Sequence, residues 1–313
     1  MMRSGEQKLD EARVTESRVT ESRVTESRVT ETHAELERSN GKSFAWAKRN
    51  PLEAFGILIG ALVVLASLFA PLLTRFDPTG QDLRSVLQGF SGTHPLGTDQ
   101  LGRDLLARVL FAGRTSLPVV ALVLTSSLAL GLIVGIAAGL AGGWIDEAIM
   151  RAVDVLLALP SLVLTTAIVG VLGPGLEHLI PAIVFSWWPM CARLVRAQVL
   201  VLRETQMVLA ARALGGTEAH IARRHVLPAL AGPLAVQLAL DAGHVLLTVA
   251  GLSFLGLGVQ PPTPEWGAML TEARAFMQSA PHLIVAPGIA VIATVFGSNA
   301  LAEWLEAALG PRR

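Results

Sequence analysis

Apolar residues fall into long runs bounded by charges along this chain. A helix needs about 20 of them to cross the hydrocarbon of a bilayer. The first uncharged run goes from Ala54 to Thr74, between Glu53 and Arg75, and a second lies between Arg114 and Asp146. A third begins near Met150, carries Asp154 early and stops at Gly173-Pro174-Gly175. A fourth, roughly from Leu179 to Leu200, holds Pro181 and Pro189, which are expected to break it. The fifth covers roughly Leu230 to Leu252 and contains Asp241, and the last goes from about Leu283 to Ala302. The pattern predicts an all-α membrane protein of six transmembrane helices.

Composition agrees. Of 313 residues, 52% are apolar and only 16% charged, with a mean hydropathy of +0.54. Soluble domains carry roughly a quarter charged residues, so much of this surface is expected to face lipid. A net charge of zero excludes a polybasic nucleic-acid binder. The single cysteine, Cys191, can form no internal disulfide. Lysine and arginine near span ends set the expected orientation. Lys42, Lys48 and Arg49 place the N-terminus in the cytoplasm, and six spans return Arg312 and Arg313 to the same side. Arg203, Arg212, Arg223 and Arg224, between spans four and five, fall inside as well. The stretch from Arg75 to Arg114 is expected outside despite its five arginines, because it is long and also holds Asp77, Asp82, Asp99 and Asp104.

Residues 1–43 are a different material. Arg-Val-Thr-Glu-Ser repeats from Arg13 to Glu31, and a five-residue step turns about 140° on a helix, so its valines form no stripe. So few apolar groups cannot offset the entropy of ordering, and a disordered cytoplasmic tail is expected ahead of a membrane domain over residues 44–313. Gly41-Lys42-Ser43 is no phosphate-binding loop, since Leu36 stands where that motif needs its first glycine.

The cytoplasmic loop of about 203–229 reads as two short helices around a turn at Gly215-Gly216. Thr217 is placed to cap the second helix, which Pro228 is expected to break. Small residues at Ala210, Ala211 and Ala213 would let another protein approach the backbone closely. The spacing resembles the cytoplasmic loop of ABC-importer permeases, which has the form Glu-Ala-Ala, three residues, Gly, nine residues, Ile, one residue, Leu-Pro. Ala210, Ala211, Gly215, Leu227 and Pro228 match, whereas Leu209 and His225 replace the glutamate and isoleucine. Three further segments look like signatures of the dipeptide, oligopeptide and nickel branch of that family, in its C-type subunit. One is His94-Pro95-Leu96-Gly97-Thr98-Asp99-Gln100-Leu101-Gly102-Arg103-Asp104, leading through Arg108 to Arg114. Another is Leu252-Ser253-Phe254-Leu255-Gly256-Leu257-Gly258 with Glu265-Trp266-Gly267, and the third is Gly142-Gly143-Trp144-Ile145-Asp146.

The resemblance implies a type I ABC importer permease fold in a bacterial inner membrane. It implies a second homologous permease, two cytoplasmic ATPase subunits docked on the loop, and an extracytoplasmic solute-binding protein. This chain would then hold no cofactor and perform no catalysis, ATP and Mg being bound by the partners. The substrate would be a dipeptide, an oligopeptide or nickel.

Individual residues carry narrower expectations. Gly131, Gly135, Gly139 and Gly143 form one bare helical ridge, suited to tight packing or to a hinge. Asp241 and His244 share a helix face, either as a mutually satisfied pair or as pathway-lining groups. Arg103, Asp104 and Arg108 suit pairing along a solvated interfacial helix, or contact with a partner. The histidines at 33, 94, 178, 220, 225, 244 and 282 show no metal-ligand spacing. A secondary transporter is the rival reading. It should show an internal repeat and coupling carboxylates, and Asp241 is the one deep candidate.

Overall fold

The computed structural model describes Trp46 and residues 50–309. The repeat segment, the basic residues ahead of the first span and the two C-terminal arginines lie outside the described residues. Helices account for nearly all regular structure. α1 (Pro51–Leu68) and the short α2 (Ala70–Leu73) form the first span, followed by a long irregular segment. α3 (Leu105–Ala141), α4 (Gly143–Leu157), α5 (Ser161–Leu172) and α6 (Leu176–Leu202) come next. A hairpin of α7 (Gln206–Ala213) and α8 (Glu218–Ile221) leads through a π turn (Ala222–Val226) into α9 (Leu227–Phe254). α10 (Trp266–Ala273) and α11 (His282–Leu309) complete the chain. Among the described residues five helices are long and apolar enough to cross a membrane, and the bent pair α4 and α5 passes the same test only when taken together.

Several expected boundaries move. The second span begins at Leu105, not Arg114, because the Asp104 side chain caps the helix by accepting from the Ala107 amide at 2.7 Å. The third is not straight: α4 and α5 meet at 79°. Pro160 lies in the break, where it disfavours a helical conformation for the residue before it. The fourth, in contrast, passes through Pro181 and Pro189 as one helix. Packed membrane helices tolerate proline because their surroundings compensate for the freed backbone groups. Pro228 does not break its helix either. It falls in the first turn of α9 directly after the π turn, where the backbone hydrogen bonds already change register.

The main packing is α3 against α6, with α9 and α11 closing the other side. The glycine ridge explains the closeness of the first pair. A Cβ on Gly131 would stand 2.5 Å from Cys191 Cβ, one on Gly135 2.6 Å from the Ala192 carbonyl, and one on Gly139 2.7 Å from Val199. The ridge is tight packing and has three members. Gly143 is past the end of α3 and faces open space. α1 uses the same device, Gly60 lying backbone to backbone against Gly297 of α11.

Candidate functional site

Two clusters occupy opposite ends of α3. At its C-terminal end, Val208, Ile221, Val226 and Leu230 form one apolar core with Val195 and Val199 of α6, which roots the α7–α8 hairpin. The tip is closed by Leu214 N–H donating to the Ala210 carbonyl (3.0 Å) and Gly216 N–H to the Ala211 carbonyl (2.9 Å). Gly215 has φ +81°, a left-handed turn that side chains disfavour. Thr217 caps α8 as expected, accepting from the His220 amide at 3.3 Å. Arg212 braces the two helices with a double contact to Glu218 at 3.0 and 3.1 Å.

The hairpin's exposed surface includes Gln206, Thr217, Glu218 and His220, but the stretch from Met207 to its tip shows mainly apolar side chains. Leu214 is 89% exposed, and Met207, Leu209, Ala210 and Ala213 also face outward. Ala211 and Gly216 are partly covered, and His225 sits in the π turn with its ring 6.0 Å from that of His220. Leu227 and Pro228 are exposed at the start of α9.

The other end is the reverse. The loop ahead of α3 folds on itself through Gly97 and Gly102, both at positive φ (83° and 71°). Asp99 accepts from the amides of Leu101 and Arg103 at 2.9 and 3.0 Å and from Arg103 Nε at 2.6 Å. Arg103 Nη2 and Arg108 Nη2 donate to one oxygen of Glu272 on α10, at 2.8 and 2.9 Å. Arg108 Nη1 lies 3.3 Å from Asp99 as an ion pair without hydrogen-bond geometry, which leaves that nitrogen unbonded. All four groups are buried or nearly so, and their formal charges cancel. Asp104, besides capping α3, meets His94 Nδ1 at 2.8 Å.

The solvated interfacial helix expected of Arg103, Asp104 and Arg108 is therefore absent. These residues are buried and do not pair with one another: Arg103 and Arg108 share Asp99 and the distant Glu272, and Asp104 meets His94 and the Ala107 amide. Glu272 was not a sequence candidate; it is 164 residues from Arg108, and no local spacing links them. Glu265, noted only as part of a signature, is fully buried at the other end of α10, where it caps the helix and accepts from Ser116 of α3 at 3.1 Å. Trp266 adds a bond from its indole N–H to the Val109 carbonyl at 3.0 Å. α10 is thus fastened to α3 at both ends. Arg114 stands apart, exposed and stacked over Phe111.

Asp241 and His244 do not pair. Asp241 is buried and accepts from Gln237 at 3.0 Å, while the exposed His244 meets the Leu240 carbonyl at 3.2 Å. Ser253 is buried beside Gly258 and Gly267, and Phe254 lies at the surface under Arg274. Among the described residues, no three histidine, cysteine or carboxylate side chains gather as a metal site.

Bundled apolar helices with a rooted hairpin at one end and a sealed charge cluster at the other describe a membrane transport component. The chain belongs to the family described as "Binding-protein-dependent transport system inner membrane component", whose model matches residues 131–313. It is 40% identical over 271 residues to the dipeptide transport system permease protein DppC of Alkalihalophilus pseudofirmus, covering 87% of this chain and 89% of that protein. It is 41% identical over 255 residues to the nickel transport system permease protein NikC of Escherichia coli K12 (82% and 92% covered). Against the glutathione transport system permease protein GsiD of Pectobacterium atrosepticum it is 38% identical over 260 residues (83% and 86%). A solved chain of the MetNI methionine ABC transporter, in inward-facing conformations, shares the fold at TM-score 0.50 and 17% identity, covering 64% of this chain and 96% of that one. The expected family and branch are met. The chain is an inner-membrane permease subunit and no catalyst, and the secondary-transporter reading has no support.

Proposed function

We propose that this chain forms half of the translocation pathway of an importer for dipeptides, oligopeptides or nickel, the other half coming from a homologous permease. Two ATPase subunits, holding the ATP and Mg, dock on the loop of about 203–229, and a solute-binding protein delivers substrate from outside. The membrane domain covers residues 44–313, both termini are cytoplasmic, and residues 1–43 are a passenger tail. The observation that carries the coupling assignment is the rigid, outward-facing apolar tip of the α7–α8 hairpin, from Met207 to Leu214. ATP-driven transport requires a partner to grip the permease differently in its two states, and a braced hairpin transmits such a grip. His244 and Phe254, exposed on α9, line the pathway in this reading, with Asp241 and Ser253 buried behind them.

The test is co-purification with the partner ATPases and binding protein, followed by ATPase assay with peptides and with nickel. Stimulation by one class assigns the substrate. No stimulation by either removes both. Gly215→Glu and Ala211→Arg should leave the permease in the membrane and abolish uptake, and normal uptake in both would move the ATPase contact elsewhere.

A further inference from the structure

The segment between α2 and α3 holds large apolar side chains that the rest of the chain does not cover. Leu83 is 72% exposed and Phe90 71%, and Phe76 and Val86 are exposed as well. They cannot turn inward, because the backbone carrying them is fastened to the Gly97–Gly102 turn. Asp82 N–H donates to the Leu101 carbonyl (3.2 Å), Leu87 N–H to the Asp99 carbonyl (3.0 Å), and Thr98 N–H to the Gln88 carbonyl (3.0 Å). The two glycines permit this approach. A Cβ at Gly97 would collide with the Gln88 carbonyl, and one at Gly102 with that of Asp82.

The height of the segment follows from its neighbours. Ser67 of α1 abuts Gly113 of α3, and Phe76 packs on His94 at 4.8 Å, which in turn holds Asp104. α1 and α3 therefore run antiparallel in register, and the exposed Leu72 and Leu73 stand level with the first turn of α3. Phe90 lies 5.8 Å from His282, the first residue of α11. The segment thus sits beside the ends of three spans: the end of α1–α2 and the starts of α3 and α11. Its apolar groups continue the exposed face of α1, of whose span window only 11% is buried.

It also carries exposed charges of both signs, Arg75 and Arg84 with Asp77 and Asp82. Asp77 accepts from the Thr79 amide at 2.8 Å and Asp82 from the Arg84 amide at 3.1 Å. These backbone hydrogen bonds, helped by the Thr79 and Ser85 hydroxyls, hold both carboxyls below their usual range. Arg75 and Arg84 are exposed, and neither has an ion-pair partner among the described residues. Exposed apolar groups with exposed charges of both signs beside them match the boundary between acyl chains and zwitterionic headgroups, whose phosphates suit the arginines and whose ammonium groups suit the carboxylates. Beneath the segment lie Asp99, Arg103, Arg108 and Glu272, charges that lipid would not tolerate unscreened.

We propose that residues 76–90 are seated in the headgroup layer of the bilayer as a fixed cover over this charge cluster. Leu83 and Phe90 enter the acyl region, and Arg75 and Arg84 meet lipid phosphates. The proposal requires only the membrane location and is independent of substrate and of the coupling loop.

Nitroxide-labelled Leu83→Cys and Phe90→Cys variants of the full chain test it, in the purified complex in nanodiscs of phosphatidylethanolamine and phosphatidylglycerol. Collisions with oxygen, which partitions into lipid, are compared with collisions with a water-soluble nickel chelate. Leu62→Cys on α1 serves as the lipid reference and Glu177→Cys, in the exposed first turn of α6, as the aqueous one. The proposal expects both positions to follow Leu62, with several-fold more oxygen than chelate contact. Dominant chelate contact, as at Glu177, overturns it. Low contact with both reagents overturns it too, since a protein would then be the occupant.

Discussion

The two ends of α3, about 55 Å apart at ~1.5 Å per residue, treat their polar and apolar groups in opposite ways. At the N-terminal end four charges are buried or nearly so and pair with one another, with only Arg108 Nη1 lacking a hydrogen bond, and the loop over them exposes large apolar side chains among its charges. At the C-terminal end the hairpin's core is small and its tip shows apolar residues, with the Arg212–Glu218 pair serving only as a brace. Charges paired internally make an anchor. Under the proposed coupling the apolar tip is a handle, because burying it needs a second protein. The proposal then has the permease fixed at one end of α3 and gripped at the other.

The largest effect that would break this contrast is at Arg108. Removing one member of a buried ion cluster leaves an uncompensated charge and costs about 3–5 kcal/mol. Arg108→Met should therefore lower the yield and melting temperature of the purified complex strongly. Adding Glu272→Gln removes the surplus negative charge and should restore part of the loss. A mild Arg108→Met variant would show that the anchor is not electrostatic.

Next comes Gly102→Ala. The left-handed backbone there disfavours a side chain by roughly 1–2 kcal/mol, and the new Cβ would meet the Asp82 carbonyl. Thermal stability should fall by an amount between those of Arg108→Met and any hairpin substitution. The same variant should loosen residues 82–90, seen as faster amide exchange at Leu87 and Thr98.

Much of this architecture was legible in the sequence. Apolar runs located the five long spanning helices and the bent pair α4–α5, though not the start of α3 at Leu105, and the spacing of Ala210, Ala211, Gly215, Leu227 and Pro228 located the hairpin. What could not be read was set by distant partners. Arg108 takes its position from Glu272, and Glu265 from Ser116, pairings that no local periodicity encodes. Prolines misled in both directions. Pro181 and Pro189 sit inside a continuous helix, whereas Pro160 marks a sharp bend, and the difference lies in packing rather than in the residue. Asp241 and His244 share a face by spacing, yet Gln237, one turn earlier, is the partner that reaches the carboxylate.

A smaller effect is expected from the brace. Arg212 and Glu218 are exposed, and such pairs contribute about 0.2–1 kcal/mol. Glu218→Ala should barely change the melting temperature of the permease. Transport driven by ATP should fall modestly, because the hairpin then yields under load. A loss of stability as large as that of Gly102→Ala would mean the hairpin is an anchor as well.

The smallest structural effect should fall on Leu214. Its side chain is almost wholly exposed at the tip and leaves the hairpin's core intact when replaced. Surface substitutions of this kind usually stay within about 0.5 kcal/mol. Leu214→Asp should therefore give normal expression and an unchanged melting temperature for the isolated permease. Its consequence should appear only with the ATPase present. A carboxylate forced into an apolar contact must be desolvated without a partner, which disfavours docking. ATPase co-purification and substrate-stimulated hydrolysis should both drop, while Leu214→Met, which keeps the contact apolar, should retain them. If Leu214→Asp binds the ATPase normally, the exposed tip is not the handle, and the contrast between the two ends of α3 loses its functional half.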